Sequence, residues 1–201
     1  MHDLTDEELL DRYGSGDPQA FDVLFSRYRR PLYSFILRFV SRRDMAEELL
    51  QEVFFKVVRS GNEFEGRAKF STWIYRITRN LCVDHLRRMT HRKTTSLDQS
   101  SRDNDERTLG QKVQDPNAGV ERQVMQGRLR TKIEEAVDRL PNEQKEVFLL
   151  REASGLPFKE IAAILGCPEN TVKSRMRYAL ERLRADLAEF RDMTKPRSAE
   201  A

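Results

Sequence analysis

The stretch PFKEIAAILGCPENTVKSRMRYALERLR, residues 157–184, decides the fold of this chain. Apolar residues recur at three- and four-residue spacing on both sides of Gly166, which predicts two helices joined by a tight turn. We expect a glycine at position 166 because a Cβ would clash there. The second helix is basic, so the stretch predicts a helix-turn-helix that places this helix in the major groove of duplex DNA.

Polar and basic side chains of the second helix are the candidates for contact with base edges and phosphates. The competing interpretation is a helical hairpin with a solvated basic face, but spacing and charge together favour DNA binding. The candidate residues are Asn170, Thr171, Lys173, Ser174, Arg175, Arg177, Tyr178 and Arg182.

Helical spacing extends over most of the remaining chain, so we predict an all-α protein of two small helical domains. Residues 93–119 are rich in Ser, Asp, Asn, Gln and Thr, which is typical of a flexible linker. We therefore expect one domain over residues 1–92, a second over residues 120–190, and a disordered tail over residues 191–201.

Local patterns predict where several helices start and stop. Pro31 is expected to kink or break the helix around it, because proline has no N–H to donate. The predicted starts are Thr5 with Glu8, Asp17 with Pro18, Asp44 with Glu47, and Ser71.

Aromatic and basic residues interleave between residues 64 and 88, a mixture that stacks unpaired bases and neutralises a single strand. Trp73 stands at helical spacing from Ile77, which favours the core over a base platform. The loop from Gly61 to Phe70 is the predicted pocket for an unstacked base. The candidate strand contacts are Phe64, Lys69, Phe70, Arg76, Arg79, Asn80, Arg87 and Arg88.

Acidic residues without any base occupy residues 44–52. Asp44 and Glu47 fall in a first helical turn, where acidic side chains complement the helix dipole. Gln51 and Glu52 lie beyond that turn, so they form either a solvated face or a docking surface for a basic partner. The chemistry of the residues leaves both alternatives open.

Composition excludes several classes of protein. With 36 basic and 33 acidic residues the net charge is only +3, so the uneven distribution of charge is more informative than its sum. His and Cys lack metal-ligand spacing, and no catalytic set or phosphate-binding glycine loop is present, so we expect no metal, no cofactor and no enzymatic activity. Cys82 and Cys167 are expected to be buried thiols, with an exposed, redox-sensitive thiol as the alternative. Without a signal peptide or a long apolar run, we expect a cytoplasmic protein with no membrane insertion.

Three segments together resemble regions two and four of extracytoplasmic-function (ECF) sigma factors. They are DMAEELLQEVFFKV at residues 44–57, FSTWIYRITRNLCVDHLRR at residues 70–88, and LPNEQKEVFLLREASGLPFKEIAAILGCPENTVKSRMRYALERLR at residues 140–184. They stand in the family's order, separated by a linker of the right sort.

The resemblance implies a factor that binds core RNA polymerase, directs it to promoter DNA, nucleates melting, and is controlled by an anti-sigma factor. Residues 61–88 would then open the minus-ten element on the non-template strand, and the recognition helix would read the minus-thirty-five element as duplex. The implied polymerase contacts are Asp44, Glu48, Gln51 and Glu52.

Three departures from the family pattern affect base preference. The first helix of the helix-turn-helix starts with Pro157 and Phe158, where a polar cap is more usual. Asn170 stands where glycine is common, and Tyr178 replaces a frequent arginine. Two rival functions also exist: a conventional repressor or activator that binds its operator alone as a dimer, and an adaptor that binds polymerase without selecting promoters.

Overall fold

A computed structural model describes residues 1, 3–60, 64, 68–95 and 120–188. This part of the chain contains eight α-helices and no strand, which confirms the all-α prediction. The helices are α1 (Asp6–Gly14), α2 (Pro18–Val40), α3 (Arg43–Ser60), α4 (Phe70–Thr95), α5 (Val120–Asp138), α6 (Asn142–Ser154), α7 (Phe158–Leu165) and α8 (Glu169–Asp186).

The described residues divide into two compact units. The first contains α1 to α4, the end of α6 from Leu149, and α7, while the second contains α5, α6 up to Phe148, and α8 from Asn170. Helix α7 belongs to the first unit because it packs on α4. Residues 93–95 of the predicted linker are helical. The rest of that linker and the predicted tail lie outside the described residues, and the domain bounds stay a prediction.

Two of the predicted helix starts are confirmed. The Thr5 side chain accepts a hydrogen bond from the Glu8 N–H (3.2 Å), and Glu8 Oε2 accepts one from the Thr5 N–H (2.8 Å). Asp17 Oδ1 accepts from the Gln19 N–H (3.0 Å), and Pro18 is the first residue of α2. Short-range side-chain caps of this kind are visible in sequence because donor and acceptor are near neighbours.

The other two predicted caps lie two residues too far along the chain. Helix α3 begins at Arg43, so Asp44 lies inside its first turn and accepts a hydrogen bond from Arg42 Nη2 at 2.6 Å. Helix α4 begins at Phe70, so Ser71 is already helical and does not cap it.

Pro31 lies inside a continuous α2, so the predicted break is absent. An interior proline costs roughly 3 kcal/mol, because it removes one donor and crowds the preceding turn. Burying one large apolar side chain returns about 1.5–3 kcal/mol, and α2 buries Leu32, Phe35 and Ile36 just after the proline. Packing therefore outweighs the local disruption.

Apolar residues from α1, α2, α3 and α4 form the core of the first unit. Helix α2 packs against the other three. The ring of Phe35 lies 5.6 Å from that of Phe39 and 5.9 Å from that of Tyr75, as measured between centroids. Cys82 is fully buried here, as predicted, whereas Cys167 beyond α7 is only half-buried.

The second unit is smaller and is tied by both apolar contacts and ion pairs. Its buried apolar residues are Ala136, Val137, Leu140, Val147, Val172, Ala179 and Leu183. Arg139 Nε lies 3.2 Å from Asp186 Oδ2, which ties the end of α5 to the end of α8.

Candidate functional surfaces

Helix α8 presents most of its candidate DNA contacts to solvent. Val172, Ala179 and Leu183 are buried at helical spacing, so the remaining sides of the helix are available. Thr171 and Arg175 are half-buried. The exposed candidates are Asn170, Lys173, Ser174, Arg177, Tyr178 and Arg182.

Gly166 ends α7 in the left-handed conformation, with φ 65° and ψ 34°. The expected steric clash is wrong, since nothing lies within 4 Å of a Cβ built at this position. Glycine is favoured here by its positive φ, which costs other residues strain. The Cys167 N–H donates to the Ala162 carbonyl (3.2 Å) and closes the turn.

Two arginines of α8 already have partners within the second unit. Arg175 Nη2 lies 2.7 Å from Glu143 Oε2, and the Arg175 side chain is only 24% exposed. The Arg177 guanidinium lies 4.7 Å above the Tyr178 ring, a favourable cation–π distance. Arg175 would therefore have to exchange a carboxylate for a phosphate on binding DNA.

Helix α4 carries the candidate strand contacts along its length. Arg79 is half-buried, and so is Trp73, in accord with its predicted place towards the core. The exposed members are Lys69, Arg76, Asn80, Arg87 and Arg88.

Four rings at the start of α4 form an aromatic cluster of Tyr28, Phe64, Phe70 and Trp73. The Phe70 centroid lies 5.2 Å from Tyr28, 6.2 Å from Phe64 and 5.8 Å from Trp73, and Phe64 lies 5.4 Å from Trp73. Phe70 is only 1% exposed, so its ring has no free face for a base. Phe70 was predicted as a strand contact because the pattern of aromatic and basic residues does not show which rings are buried. Phe64 is half-buried, and most of the predicted 61–70 pocket lies outside the described residues.

The first N–H of α4 is capped from a distant part of the chain. The Phe70 N–H donates to Glu7 Oε1 of α1 at 2.8 Å, although 63 positions separate the two residues. Next to Glu7, Asp6 accepts hydrogen bonds from Arg27 Nη1 (2.6 Å) and from the Tyr28 hydroxyl. Burial and then the bond to Asp6 raise the pKa of Tyr28 far above its ordinary value. None of these contacts was predicted, because only folding brings α1 to this end of α4.

Helix α7 adds a second carboxylate at the start of α4. Glu160 accepts a hydrogen bond from Thr72 Oγ1 (2.9 Å), and its Oε1 lies 2.8 Å from Lys69 Nζ. Burial raises the pKa of Glu160, but the hydrogen bonds from Lys69 and Thr72 outweigh it, so that the pKa lies below its ordinary value. Tyr75 is buried, and its hydroxyl donates to the Ala153 carbonyl at 3.1 Å. Burial raises the pKa of Tyr75.

Helix α3 exposes all four candidate polymerase contacts, Asp44, Glu48, Gln51 and Glu52. Phe55 continues this face at helical spacing and is 67% exposed, and Val58 is 44% exposed. The exposure of these two apolar residues was not predicted from the sequence. The spacing from Glu48 through Gln51 and Glu52 to Phe55 would have identified the first of them. A bare aromatic ring beside carboxylates favours a docking face over a merely solvated one.

A shallow groove of about 400 Å³ lies between α3 and α4. It joins the candidate docking face to the candidate strand-binding helix, since Glu52 lies on one wall and two candidate arginines on the other. Its lining residues are Glu52, Lys56, Leu81, Asp84, Arg87 and Arg88.

The described part of the chain carries neither a metal-binding cluster nor a membrane-spanning helix. No group of three or more His, Cys, Asp or Glu side chains there is arranged to hold a metal ion. Within the same residues, no helix is long and apolar enough to cross a membrane.

Two family profiles match this chain in the order that the resemblance implied. Sigma-70 region 2 matches residues 24–92, and Sigma-70 region 4 matches residues 130–183. The first match covers α3 and most of α2 and α4, and the second covers the end of α5, all of α6 and α7, and most of α8.

Several curated relatives are similar over nearly their whole length. The ECF RNA polymerase sigma-E factor of Haemophilus influenzae is 34% identical over 89% of this chain and 93% of its own. The sigma-E factor of Escherichia coli is also 34% identical, over 89% of this chain and 92% of its own. The RNA polymerase sigma-H factor of Pseudomonas aeruginosa is 31% identical, over 88% and 90%.

Solved structures share the fold at lower identity. The sigma factor RpoE in complex with the anti-sigma factor NepR from Bartonella quintana gives a TM-score of 0.66 at 23% identity, over 84% of this chain and 96% of that one. CnrH in complex with the cytosolic domain of CnrY also gives a TM-score of 0.66, at 20% identity, over 92% of this chain and 97% of that one. With two region profiles in order and relatives above 30% identity over almost the whole chain, this protein belongs to the family of ECF RNA polymerase sigma factors.

Proposed function

We propose that this protein binds core RNA polymerase in the cytoplasm, directs it to specific promoters and nucleates promoter melting. The observation that carries the proposal is the presence on one chain of three chemically different surfaces. These are an acidic and apolar face on α3, a basic face beside aromatic rings on α4, and a basic face on α8. Neither of the rival functions uses all three.

The α3 face suits a basic, partly apolar protein surface on the polymerase. Asp44, Glu48, Gln51 and Glu52 supply charge and hydrogen bonding, and Phe55 supplies an exposed ring. Aromatic anchors surrounded by polar residues dominate the energy of many protein interfaces. An Arg42 hydrogen bond lowers the pKa of Asp44, so this carboxylate stays charged at neutral pH.

The α4 face suits a single strand. The exposed residues are Lys69, which immediately precedes the helix, and Arg76, Asn80, Arg87 and Arg88 along it. Phe64 lies against the rings at the start of α4. Opening duplex costs about 1.4 kcal/mol per base-pair step, and stacking one base on a ring returns about 1–3 kcal/mol. Capturing one or two bases therefore nucleates a short bubble but does not hold a long one, so melting depends on the polymerase.

The α8 face suits duplex DNA. Its Lys173 and Arg177 are exposed to solvent, where phosphates and base edges can reach them, and Arg175 would have to exchange Glu143 for DNA. A single reading module of this size buries roughly 600–1,000 Å² of protein surface, which supports only modest affinity. Joining it to a second reader on the polymerase raises the effective concentration of each contact.

An anti-sigma factor is the proposed regulator. Two structural neighbours were solved in complex with NepR and with the cytosolic domain of CnrY, the first of these described as an anti-sigma factor. The exposed Phe55 and Val58 on α3 offer such a partner the same face that would dock on the polymerase. Core polymerase and the regulator should then compete for this protein in pull-down experiments.

The decisive experiment is transcription in vitro with purified core polymerase and a library of promoter fragments. A Lys173→Ala, Arg177→Ala double variant should lose selection at the upstream element. An Arg130→Ala, Lys132→Ala double variant removes the same charge from exposed residues of α5 and should retain selection. If the protein binds duplex DNA alone but never programs core polymerase, it is a conventional repressor or activator. If the protein binds core polymerase but neither it nor the Lys173, Arg177 variant changes which promoters are used, the adaptor function is correct. Normal promoter selection by the variant would instead contradict the proposed role of these two residues.

A further inference from the structure

We propose that Glu7 of α1 is a positioning residue for strand capture, because it caps α4 and so holds the aromatic cluster on which Phe64 rests. This inference rests on the proposed function. It assigns α1, which precedes the matched region 2 residues, a part in opening DNA. The role is indirect, since Glu7 acts through Phe70 rather than on the strand itself.

Among the residues that the structure describes, no side chain next to the start of α4 in sequence caps its first N–H. The preceding residue is Lys69, which has no acceptor in its side chain, and Ser71 is already inside the helix. An uncapped N–H at a buried helix start is costly, and a carboxylate there also complements the helix dipole. Glu7 Oε1 supplies the missing acceptor at 2.8 Å from the Phe70 nitrogen.

Glu7 is held in place by its neighbours in α1. Thr5 and Glu8 form a reciprocal capping box that fixes the first turn. Asp6 binds Arg27 and Tyr28 of α2, and Arg27 Nη2 also donates to the Leu4 carbonyl at 2.9 Å. The position of the Glu7 carboxylate is therefore set by contacts on both sides of it.

Phe70 connects this cap to the proposed strand-binding residues. Its backbone receives the cap, and its buried ring contacts Tyr28, Phe64 and Trp73. A displacement of the Phe70 backbone would move the surface on which Phe64 lies. Stacking depends on ring position, so the loss should appear in strand capture rather than in docking or duplex binding.

Trp73 makes the cluster observable without any functional assay, because it is the single tryptophan of the chain. Glu7→Ala should alter the Trp73 emission maximum in the folded full-length protein. Asp11→Ala is the matched control, since it removes an exposed carboxylate from the same helix without touching the capping box or the contacts that hold Glu7. It should leave the emission unchanged, and Glu7→Gln, whose amide oxygen can still accept, should resemble wild type.

Strand capture is measured with holoenzyme and a fluorescent single-stranded oligonucleotide carrying the non-template sequence of a selected promoter, at a temperature where all variants are folded. We expect Glu7→Ala to weaken capture roughly three- to tenfold, as for loss of a helix cap, with core affinity unchanged. Glu7→Gln should restore most of the loss. Equal effects of Glu7→Ala and Asp11→Ala, or no effect of either, would overturn the positioning role.

A double-mutant cycle decides the case if Glu7→Ala is markedly destabilised. When Phe64 is already alanine, Glu7→Gln and Glu7→Ala should bind the strand equally, because the cap acts through that ring. An undiminished difference would contradict the inference. If wild-type holoenzyme captures no strand, the proposed function itself fails, a result distinct from failure of the Glu7 variants alone.

Discussion

Helices α4 and α8 are both basic and both proposed to bind DNA, yet they are built differently. Helix α8 begins beside a local turn and buries a simple stripe of Val172, Ala179 and Leu183. Helix α4 begins at a buried ring, and its first turn receives carboxylates from α1 and α7. Reading a duplex requires a regular helix in a groove, whereas capturing a flexible strand requires rings held in fixed positions.

The largest expected effect is a difference in stability between variants that remove an aromatic ring from α4 and from α8. Phe70→Ala should lower the free energy of unfolding by about 3–5 kcal/mol, since it empties a fully buried site. Tyr178→Ala on α8 removes a ring that is 47% exposed, so the free energy of unfolding should change by no more than about 0.5 kcal/mol. Urea denaturation of both variants measures the contrast, and similar values would refute the difference between the helices.

The next effect separates the two helices by ligand. In isolated protein, Lys173→Ala should weaken duplex binding and reduce the slope of log affinity against log salt by about one, since one phosphate contact is lost. Arg76→Ala should leave duplex binding unchanged and weaken strand capture by the holoenzyme. Fluorescence titrations over a range of salt concentrations test both expectations. Weaker duplex binding by the Arg76 variant would mean that α4 and α8 do not bind separate DNA ligands.

A smaller effect comes from the carboxylates that hold one candidate contact on each helix. Glu143→Gln should release Arg175 and improve duplex affinity roughly two- to fivefold. Glu160→Gln should release Lys69 and improve strand capture by a similar factor. Binding titrations of the two variants provide the comparison. Weaker binding in either case would mean that the carboxylate holds the Arg175 or Lys69 side chain in position for DNA, and does not compete with DNA for it.

The smallest effect is a pH dependence confined to the start of α4. The pKa of Glu160 lies below its ordinary value of 4.5, so its contribution to stability is present above that pH and is lost as the pH falls through the lowered pKa. At pH 7 Glu160→Gln should lower the melting temperature by up to about 3 °C. The difference from wild type should shrink in melting curves recorded below pH 4.5. A constant difference down to pH 3 would contradict this linkage.

The comparison also explains what could be predicted from sequence. The α7–turn–α8 order follows from spacing and one glycine, and the caps at Thr5 and Asp17 use partners within three residues. Such features are local and therefore leave a pattern in the sequence. The capping partner of α4 is 63 positions away, so Ser71 was the only candidate that sequence offered.

Burial is the second limit on prediction. Phe64, Phe70 and Trp73 have similar chemistry, and only the packed structure distinguishes a fully buried ring from two half-buried ones. The exposure of Phe55 was missed because a phenylalanine within an apolar run suggests core, although its spacing from Glu52 places it on the exposed face. Most basic candidates needed no such distinction, because long charged side chains usually remain at the surface, but Arg79 and Arg175 are half-buried.

The empty space around Gly166 determines how this turn can vary among related proteins. Because no atom lies within 4 Å of a Cβ there, a substitution meets only the cost of a positive φ. That cost is about 1–2 kcal/mol for most residues and less for Asn or Asp, which visit this conformation readily. Asparagine at this position is therefore compatible with an intact turn, and a search pattern that requires glycine there would overlook proteins with the same fold.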